Sequence, residues 1–170
     1  TEDEHFVKEK IYPYLEEIIG AYKTGIDVDD NNIYLDKDYL LVCGTPKTQN
    51  TWMDAKYGDF AVTPRNGKAV EINSLWYNAL KLTKKFKTSK DAKKYADLAK
   101  KCKTAFEEKF YNPKRKCLYD VLGDKKIRPN QLFALALSYP VVDPASKIAE
   151  EMMETVTKKL LNPYGLKTLA

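Results

Sequence analysis

Apolar residues recur every three or four positions in four stretches of the chain: 5–23, 69–86, about 90–110 and 144–161. Residues spaced in this way share one face of a helix, so each stretch predicts an amphipathic helix. Pro13 should kink the first helix or begin its second part. Asp143 followed by Pro144 should cap the start of the last one. A fifth helix is predicted in "IRPNQLFALALSYP", whose "LFALAL" core is apolar nearly all round and should be buried on most sides.

Two segments between the helices have a different pattern. In "GIDVDDNNIYLDKDYLLVCG" (25–44), apolar and polar residues alternate on either side of a polar turn, which predicts a small hairpin. Residues 44–67 have no sustained period, and a long irregular loop inside a compact domain is usually functional. The elements together predict a mainly α chain of paired helices with a small hairpin insertion. Helix pairs with irregular, aromatic-rich connections fit a helical toroid, in which the active site lies in the loops at one end.

Composition excludes several kinds of site. The 170 residues fit one domain, and the 44% hydrophobic fraction is normal for a globular protein. No apolar run approaches the roughly 18 residues that span a bilayer, so no membrane partner is expected. His5 is the only histidine, which excludes a His-based zinc site or a Ser/His/Asp triad within this chain. The three cysteines share no metal-type spacing and are expected to be free thiols of a reducing compartment.

Charge argues against nucleic acid and against a metal site. The net charge is +5, yet only three of the 29 basic residues are arginine, and the densest basic run (81–103) is interrupted by helix-spaced apolar residues. A solvated, lysine-rich helix surface explains that run better than a nucleic-acid site does. "DVDDNN" (27–32) resembles a calcium loop, but Asn32 stands where the pattern needs glycine and Asp38 where it needs glutamate. A polar hairpin turn is the favoured interpretation.

The long loop carries the first candidate site. "TWMDAKYGDF" (51–60) places Trp52 two residues before Asp54, and loop aromatics beside acids are often part of a functional site. Sugar sites combine aromatic faces that stack on a pyranose with charged groups that bond its hydroxyls. The nearby residues of those types are Arg65, Glu71, Trp76 and Tyr77. A structural alternative remains open: Trp52 fills a loop core, Asp54 caps a turn, and Glu71 is a first-turn acid favoured by the helix dipole.

The second candidate is "IRPNQ" (127–131), which clusters Arg128, Asn130 and Gln131 at the start of the fifth predicted helix. These side chains either cap that helix or line the entrance of a site, and the residues alone leave both possibilities open.

Several long motifs resemble one known family. "TWMDAKYGDFAVTPRNGKAVEINSLWYNAL" is similar to the signature region of glycogen debranching enzymes, in their amylo-α-1,6-glucosidase domain. "IRPNQLFALAL" and the closing "NPYGLKTL" resemble two further stretches of that domain, in the right order, and the hairpin segment resembles the lead into the signature. The resemblance covers most of the chain.

This resemblance implies a fold, an activity and residue roles. The expected fold is part of an (α/α)6 barrel, and the expected activity is inverting hydrolysis of the α-1,6-linked glucose at a trimmed branch of glycogen or a similar glucan, without a cofactor. The aspartate of "TWMDA" would be the general acid, which is Asp54 here. The resemblance also implies that Trp52, Arg65, Glu71 and Trp76 shape the glucose pocket. It further implies that Arg128, Asn130 and Gln131 lie near the mouth of that pocket.

The resemblance further implies that these 170 residues are a fragment of one catalytic domain. An (α/α)6 barrel has roughly twelve helices, whereas about five are predicted in this chain. The glutamate that serves as the family's catalytic base is expected beyond Ala170. We therefore expect a chain cut from a longer cytoplasmic protein, inactive alone and prone to self-association through faces meant for the rest of the domain. Two alternatives remain: another (α/α)6 glycosidase of the glucoamylase or trehalase type, and a carbohydrate-binding or scaffold domain without activity.

Overall fold

The computed structural model describes residues 3–28, 31–86 and 89–170, without the side chains of residues 89 and 90. The polar turn predicted within 27–32 includes two residues outside this description. The helical elements are α1 (Glu4–Phe6), a π-helical segment (Val7–Ile11), α2 (Tyr12–Thr24), α3 (Val70–Lys85), α4 (Ser89–Phe110), a 3₁₀ turn (Pro129–Leu132), α5 (Phe133–Ala136) and α6 (Lys147–Leu160). The prediction of a mainly α chain is confirmed, while the closed barrel stays a prediction. None of the described helices is long and apolar enough to cross a bilayer.

Strands in the described part of the chain form short antiparallel hairpins, and sequence patterning predicted a hairpin only within 25–44. The pairs are β1 (Tyr34–Leu35) with β2 (Leu41–Val42), β3 (Lys56–Tyr57) with β4 (Phe60–Ala61), β5 (Tyr111–Asn112) with β6 (Cys117–Leu118), and β7 (Leu161–Asn162) with β8 (Gly165–Leu166). The bridge between Ile26 and Ile33 matches the pairing that the alternating pattern predicted. β1 and β2 instead pair around a later turn, at residues 36–40, which the pattern did not predict. Each strand pair contributes only two residues per strand, which leaves the helices as the main elements.

Pro13 begins the second part of the first helical stretch. It lies in the first turn of α2, and the preceding five residues are π-helical. Proline has no N–H to offer the carbonyl four residues earlier, which disrupts the α-helical ladder at that point. The backbone N–H of Tyr12 bonds instead to the carbonyl of Val7, five residues back.

Two details of the later helices differ from the sequence predictions. The last helix begins at Lys147, because Ser146 and not Asp143 is its N-cap and accepts a hydrogen bond from the Ala149 N–H. Asp143 accepts from the Ala145 N–H, one turn earlier. The predicted burial of the fifth helix on most sides is wrong: Ala134 is the one buried residue of α5, and Phe133 is 37% exposed.

The hydrophobic core lies between α3 and α4, with α2, the first hairpin and α6 around it. The rings of Phe106 and Phe110 stack at 4.4 Å between centroids and are fully buried. Asn73, buried on α3, accepts from the Leu41 N–H at 2.7 Å and donates to the Leu41 carbonyl at 3.1 Å. This one side chain satisfies both backbone groups of a buried strand residue and so docks the hairpin on α3.

All three cysteines are free and buried, as the sequence predicted. Burial raises the pKa of the Cys43 and Cys102 thiols to about 12. These thiols therefore stay protonated and unreactive near neutral pH, as structural buried cysteines do.

A cluster of charges connects the turn between β1 and β2 to the segment just before α3 and to the end of α4. Lys68 donates to Asp36 at 2.6 Å and to Asp38 at 2.7 Å, and Lys109 near the end of α4 also bonds Asp38. The hydrogen bond from Lys68 holds the pKa of Asp36 below its ordinary value. Burial alone would raise the pKa of Asp38, but the bonds from Lys109 and Lys68 outweigh it and lower that pKa. Burial alone would lower the pKa of Lys68, but the hydrogen bonds to Asp36 and Asp38 outweigh it and raise that pKa.

We predict that Asp38→Asn destabilises the chain at pH 7 and that the difference from wild type shrinks in acid. A carboxylate whose pKa falls on folding stabilises above its unfolded pKa of about 4, and this contribution is lost as pH falls through the folded value. The raised pKa of Lys68 sets the other limit, since its contribution is lost only above about pH 10. Urea unfolding from pH 7 to pH 3 measures this, with Asp59→Asn, fully exposed, as the control. A gap that stays constant down to pH 3 would contradict the prediction.

Candidate active site

The long loop is closed at its base by backbone pairing. Cys43 and Gly67 exchange hydrogen bonds of 2.9 and 2.8 Å, so residues 44–66 leave and return at one place beside the start of α3. The segment after β6 joins α3 there, because Val70 N–H donates to the Asp120 carbonyl at 3.0 Å and Leu122 N–H donates to the Lys68 carbonyl at 3.0 Å. Side chains from the loop, from the first turn of α3 and from the segment after β6 therefore meet.

Arg65 connects these elements through a buried ion network. Its Nε donates to Asp120 Oδ2 at 2.7 Å and its Nη2 to Asp120 Oδ1 at 3.0 Å. The outer guanidinium nitrogens also form a bidentate pair with Glu71, with 2.6 Å between Nη2 and Oε2. The three side chains are at most 2% exposed. Burial alone would lower the pKa of Arg65, but the hydrogen bonds to Glu71 and Asp120 outweigh it and raise that pKa.

Asn130, in the 3₁₀ turn, extends this network to the middle of the loop. Its Nδ2 donates to Asp120 Oδ1 at 2.8 Å and lies 3.5 Å from the sulfur of Met53. Its Oδ1 accepts from the indole Nε1 of Trp52 at 3.0 Å. Asn130 is buried, whereas Trp52 is 57% exposed. The indole is thus fixed along one edge while much of its ring surface faces solvent.

Asp54 follows directly on these anchored residues and is exposed. Among the described residues no side chain donates a hydrogen bond to its carboxylate. The residue after Asp54, Ala55, accepts a backbone hydrogen bond from the Val62 N–H, and the β3–β4 hairpin lies between these two residues. A carboxyl group in this position is free to meet a ligand, and it follows an exposed aromatic residue by two positions in the chain.

Besides Asn130, five of the predicted site residues have mainly internal partners in this structure. Trp76 lies in the hydrophobic core and packs edge-on against Tyr22, at 6.1 Å between centroids. Gln131 accepts from the Leu118 N–H and donates to the Arg128 carbonyl, so it supports β6. Arg128 donates to the Thr168 carbonyl at 3.1 Å and holds the closing segment. Arg65 and Glu71 pair with each other in the ion network described above. Their roles in binding substrate stay predictions.

Sequence reasoning missed Asp120, the residue on which the network converges. It is the one acid in the apolar run "KCLYDVL", and a carboxylate in a buried extended segment requires a cationic or hydrogen-bonding partner. That signal was available. What the sequence did not disclose is that the partners are Arg65, 55 residues away, and Asn130.

Other features of the surface lie apart from this site. A groove of about 620 Å³ runs between the β1–β2 turn and α4, with Tyr39 and Lys101 in its lining, and includes no predicted site residue. In the described part of the chain, no group of three or more acids, histidines and cysteines is placed to hold a metal ion.

Comparison with known proteins gives one finding about the family. A family model described as amylo-alpha-1,6-glucosidase matches residues 1–170. No curated protein matches the chain.

Proposed function

Because the chain belongs to the amylo-α-1,6-glucosidase family, we propose that it supplies the acid half of an inverting glycosidase site. The substrate is the single α-1,6-linked glucose left at a trimmed branch point of glycogen or a similar α-glucan. The observation that carries the proposal is the exposed Asp54, two positions after the anchored, half-exposed Trp52. That pair offers a stacking surface for a pyranose and, two positions along the same loop, an exposed carboxyl group.

In the proposed reaction Asp54 protonates the departing α-1,6 oxygen while water attacks from the opposite face of the sugar. A general acid must hold its proton near neutral pH, which for a carboxyl group requires desolvation or a second carboxylate nearby. Asp54 is exposed in this structure. The proposal therefore requires that bound glucan and further parts of the domain exclude water from it.

We propose that the catalytic base lies outside these 170 residues. An inverting site needs a second, free carboxylate about 6.5–9.5 Å from the acid. The buried acids of the network, Glu71 and Asp120, are both paired with Arg65, and Arg128 lies 3.5 Å from Asp120 as a second cation. A carboxylate that is paired in this way is poorly suited to activate water.

The remaining domain would also explain the exposed apolar residues. Phe133 on α5, Phe60 on β4 and Val62 after it are all exposed to solvent. Large exposed apolar patches are typical of surfaces that contact further protein. We propose that the rest of an (α/α)6 barrel covers them, and that the chain alone self-associates. The three free buried thiols favour a cytoplasmic protein.

Glucose release from a phosphorylase-trimmed limit dextrin tests the proposed function. The 170-residue chain and a longer protein that continues beyond Ala170 are assayed side by side, each against a heat-inactivated control. We expect glucose from the longer protein alone, released first as the β-anomer because inversion of an α-linkage yields it. Release by neither protein would favour a carbohydrate-binding or scaffold domain. Release by the short chain would show that the base lies within it.

A further inference from the structure

We propose that Asp120 and Asn130 form a positioning relay. Asp120 orients Asn130, Asn130 holds Trp52, and Trp52 in turn positions the loop that carries Asp54 for catalysis. The relay rests on the proposed function and assigns roles to two residues that do not touch the reacting atoms. It joins the buried charges beneath the site to the exposed loop above them.

Hydrogen-bond chemistry fixes the direction of the relay. An ionised carboxylate accepts hydrogen bonds and has none to donate, so Asn130 must turn its NH₂ group toward Asp120, where the distance is 2.8 Å. The carbonyl oxygen of the amide then faces the Trp52 indole, which has a donor and no acceptor, at 3.0 Å. Neither partner tolerates a flipped amide. The charge on Asp120 therefore determines which face Asn130 presents to the loop.

The relay fixes two consecutive residues immediately before the acid. Asn130 bonds the Trp52 indole and lies 3.5 Å from the Met53 sulfur, and Asp54 is the next residue. Asn130 itself is 1% exposed and sits in a 3₁₀ turn that Gln131 holds against β6. A rigid, buried amide thus sets the position of an exposed loop. Misplacing a catalytic group by about 1 Å can cost on the order of 10²-fold in rate.

Asp120 is unsuitable as the only residue to mutate. It pairs with Arg65 and lies 3.5 Å from Arg128, so its replacement would leave buried cations short of a partner. Loss of folding would then hide any positioning role. Asn130 and Trp52 carry no charge, and the hydrogen bond between them can be removed from either side.

The first test follows the Trp52 indole N–H by NMR in the 170-residue chain. Trp52→Phe identifies its resonance, and Trp76, buried 24 positions further along, provides an internal reference. We expect Asn130→Ala to shift the Trp52 indole resonance and to speed its exchange with solvent, while the Trp76 signal stays in place. An unchanged Trp52 resonance in Asn130→Ala would overturn the relay.

The second test measures kcat and KM for limit dextrin in a protein that is active as wild type. We expect Asn130→Ala and Trp52→Phe each to lower kcat by about tenfold to a hundredfold. The double variant should be no slower than the worse single variant, because both changes remove the same bond. Asn78→Ala is the matched control: this amide bonds the Tyr139 N–H at 3.0 Å, away from the loop, and its removal should leave kcat unchanged.

The kinetic outcomes separate the relay from the proposed function. Rate losses that multiply in the double variant, or a change in KM alone, would overturn the relay. A wild-type protein without glucosidase activity would overturn the proposed function, while the indole measurement would still decide whether Asn130 anchors Trp52.

Discussion

Arg65→Ala is expected to lower the free energy of unfolding by about 3–5 kcal/mol, the usual cost of leaving a buried charge without its partner. Two buried carboxylates lose an ion-pair partner in this variant. Among the described residues, Arg65 is the one side chain bonded to the Glu71 carboxylate. Asp120 keeps Asn130 and the more distant Arg128. Since whole domains are stable by only about 5–15 kcal/mol, the variant should be close to unfolding.

Urea unfolding at pH 7 measures this cost. With an m-value of about 2 kcal/mol/M, the midpoint should fall by about 1.5–2.5 M. Arg115→Ala is the control, because Arg115 is exposed and one of its nitrogens donates to the Lys125 carbonyl. That variant should lose less than about 1 kcal/mol. Equal losses in the two variants would contradict a buried network centred on Arg65.

Asp54→Asn is expected to reduce glucose release from limit dextrin by about 10²–10⁴-fold, the usual contribution of a general acid. The loss should be in kcat, because the amide retains the size and polarity of the carboxyl group and cannot deliver its proton. Stability should change little, since Asp54 is exposed and substitutions at such positions usually stay within about 0.5 kcal/mol. The measurement is steady-state kinetics in the longer, active protein, together with glucan binding.

Asp59→Asn is the matched control for this prediction. Asp59 lies five positions further along the same loop, is fully exposed, and has a surface pairing with Lys56 at 3.6 Å. It changes the charge of the loop by the same amount, so it separates loss of the acid from loss of charge. Similar kinetics in both variants would argue against Asp54 as the acid, and lost glucan binding in Asp54→Asn would assign it to substrate binding.

The helices could be predicted from the sequence because their burial follows a local period. The stripe on α4 that includes Ala99, Cys102 and Phe106 is buried as its spacing indicates. Their ends could not be predicted as well, since a helix start depends on which of two neighbouring polar residues captures a free N–H. Asp143 and Ser146 both accept such a bond, and the helix proper begins after the second.

The segment "LFALAL" shows the limit of composition as a guide to burial. Its apolar residues predicted a buried helix, yet the helix is one turn long and ends where Leu137 turns extended. The Asn78 side chain on α3 then takes the Tyr139 N–H, a contact across 61 positions. A long-range hydrogen bond of this kind leaves no local signal in the sequence.

In the candidate site, too, local features could be predicted from the sequence and long-range contacts could not. Trp52, Asp54, Glu71, Arg65 and Asn130 could be identified from residue type and motif. Their arrangement could not, because a buried ion network is a set of long-range pairings. Glu71 and Arg65 read as ligands for sugar hydroxyls, whereas in the structure they neutralise one another beneath the loop. Asp120 gained its importance only once the fold brought it to them.

Hydrolysis of α-glucosyl fluoride by Asp54→Asn, compared with its action on limit dextrin, tests the role of Asp54 most directly. Fluoride departs without being protonated, so its release does not depend on a general acid. We predict that the variant loses limit-dextrin hydrolysis and retains α-glucosyl fluoride hydrolysis close to the wild-type rate. Equal loss of both activities, or loss of neither, would contradict the assignment of Asp54 as the proton donor.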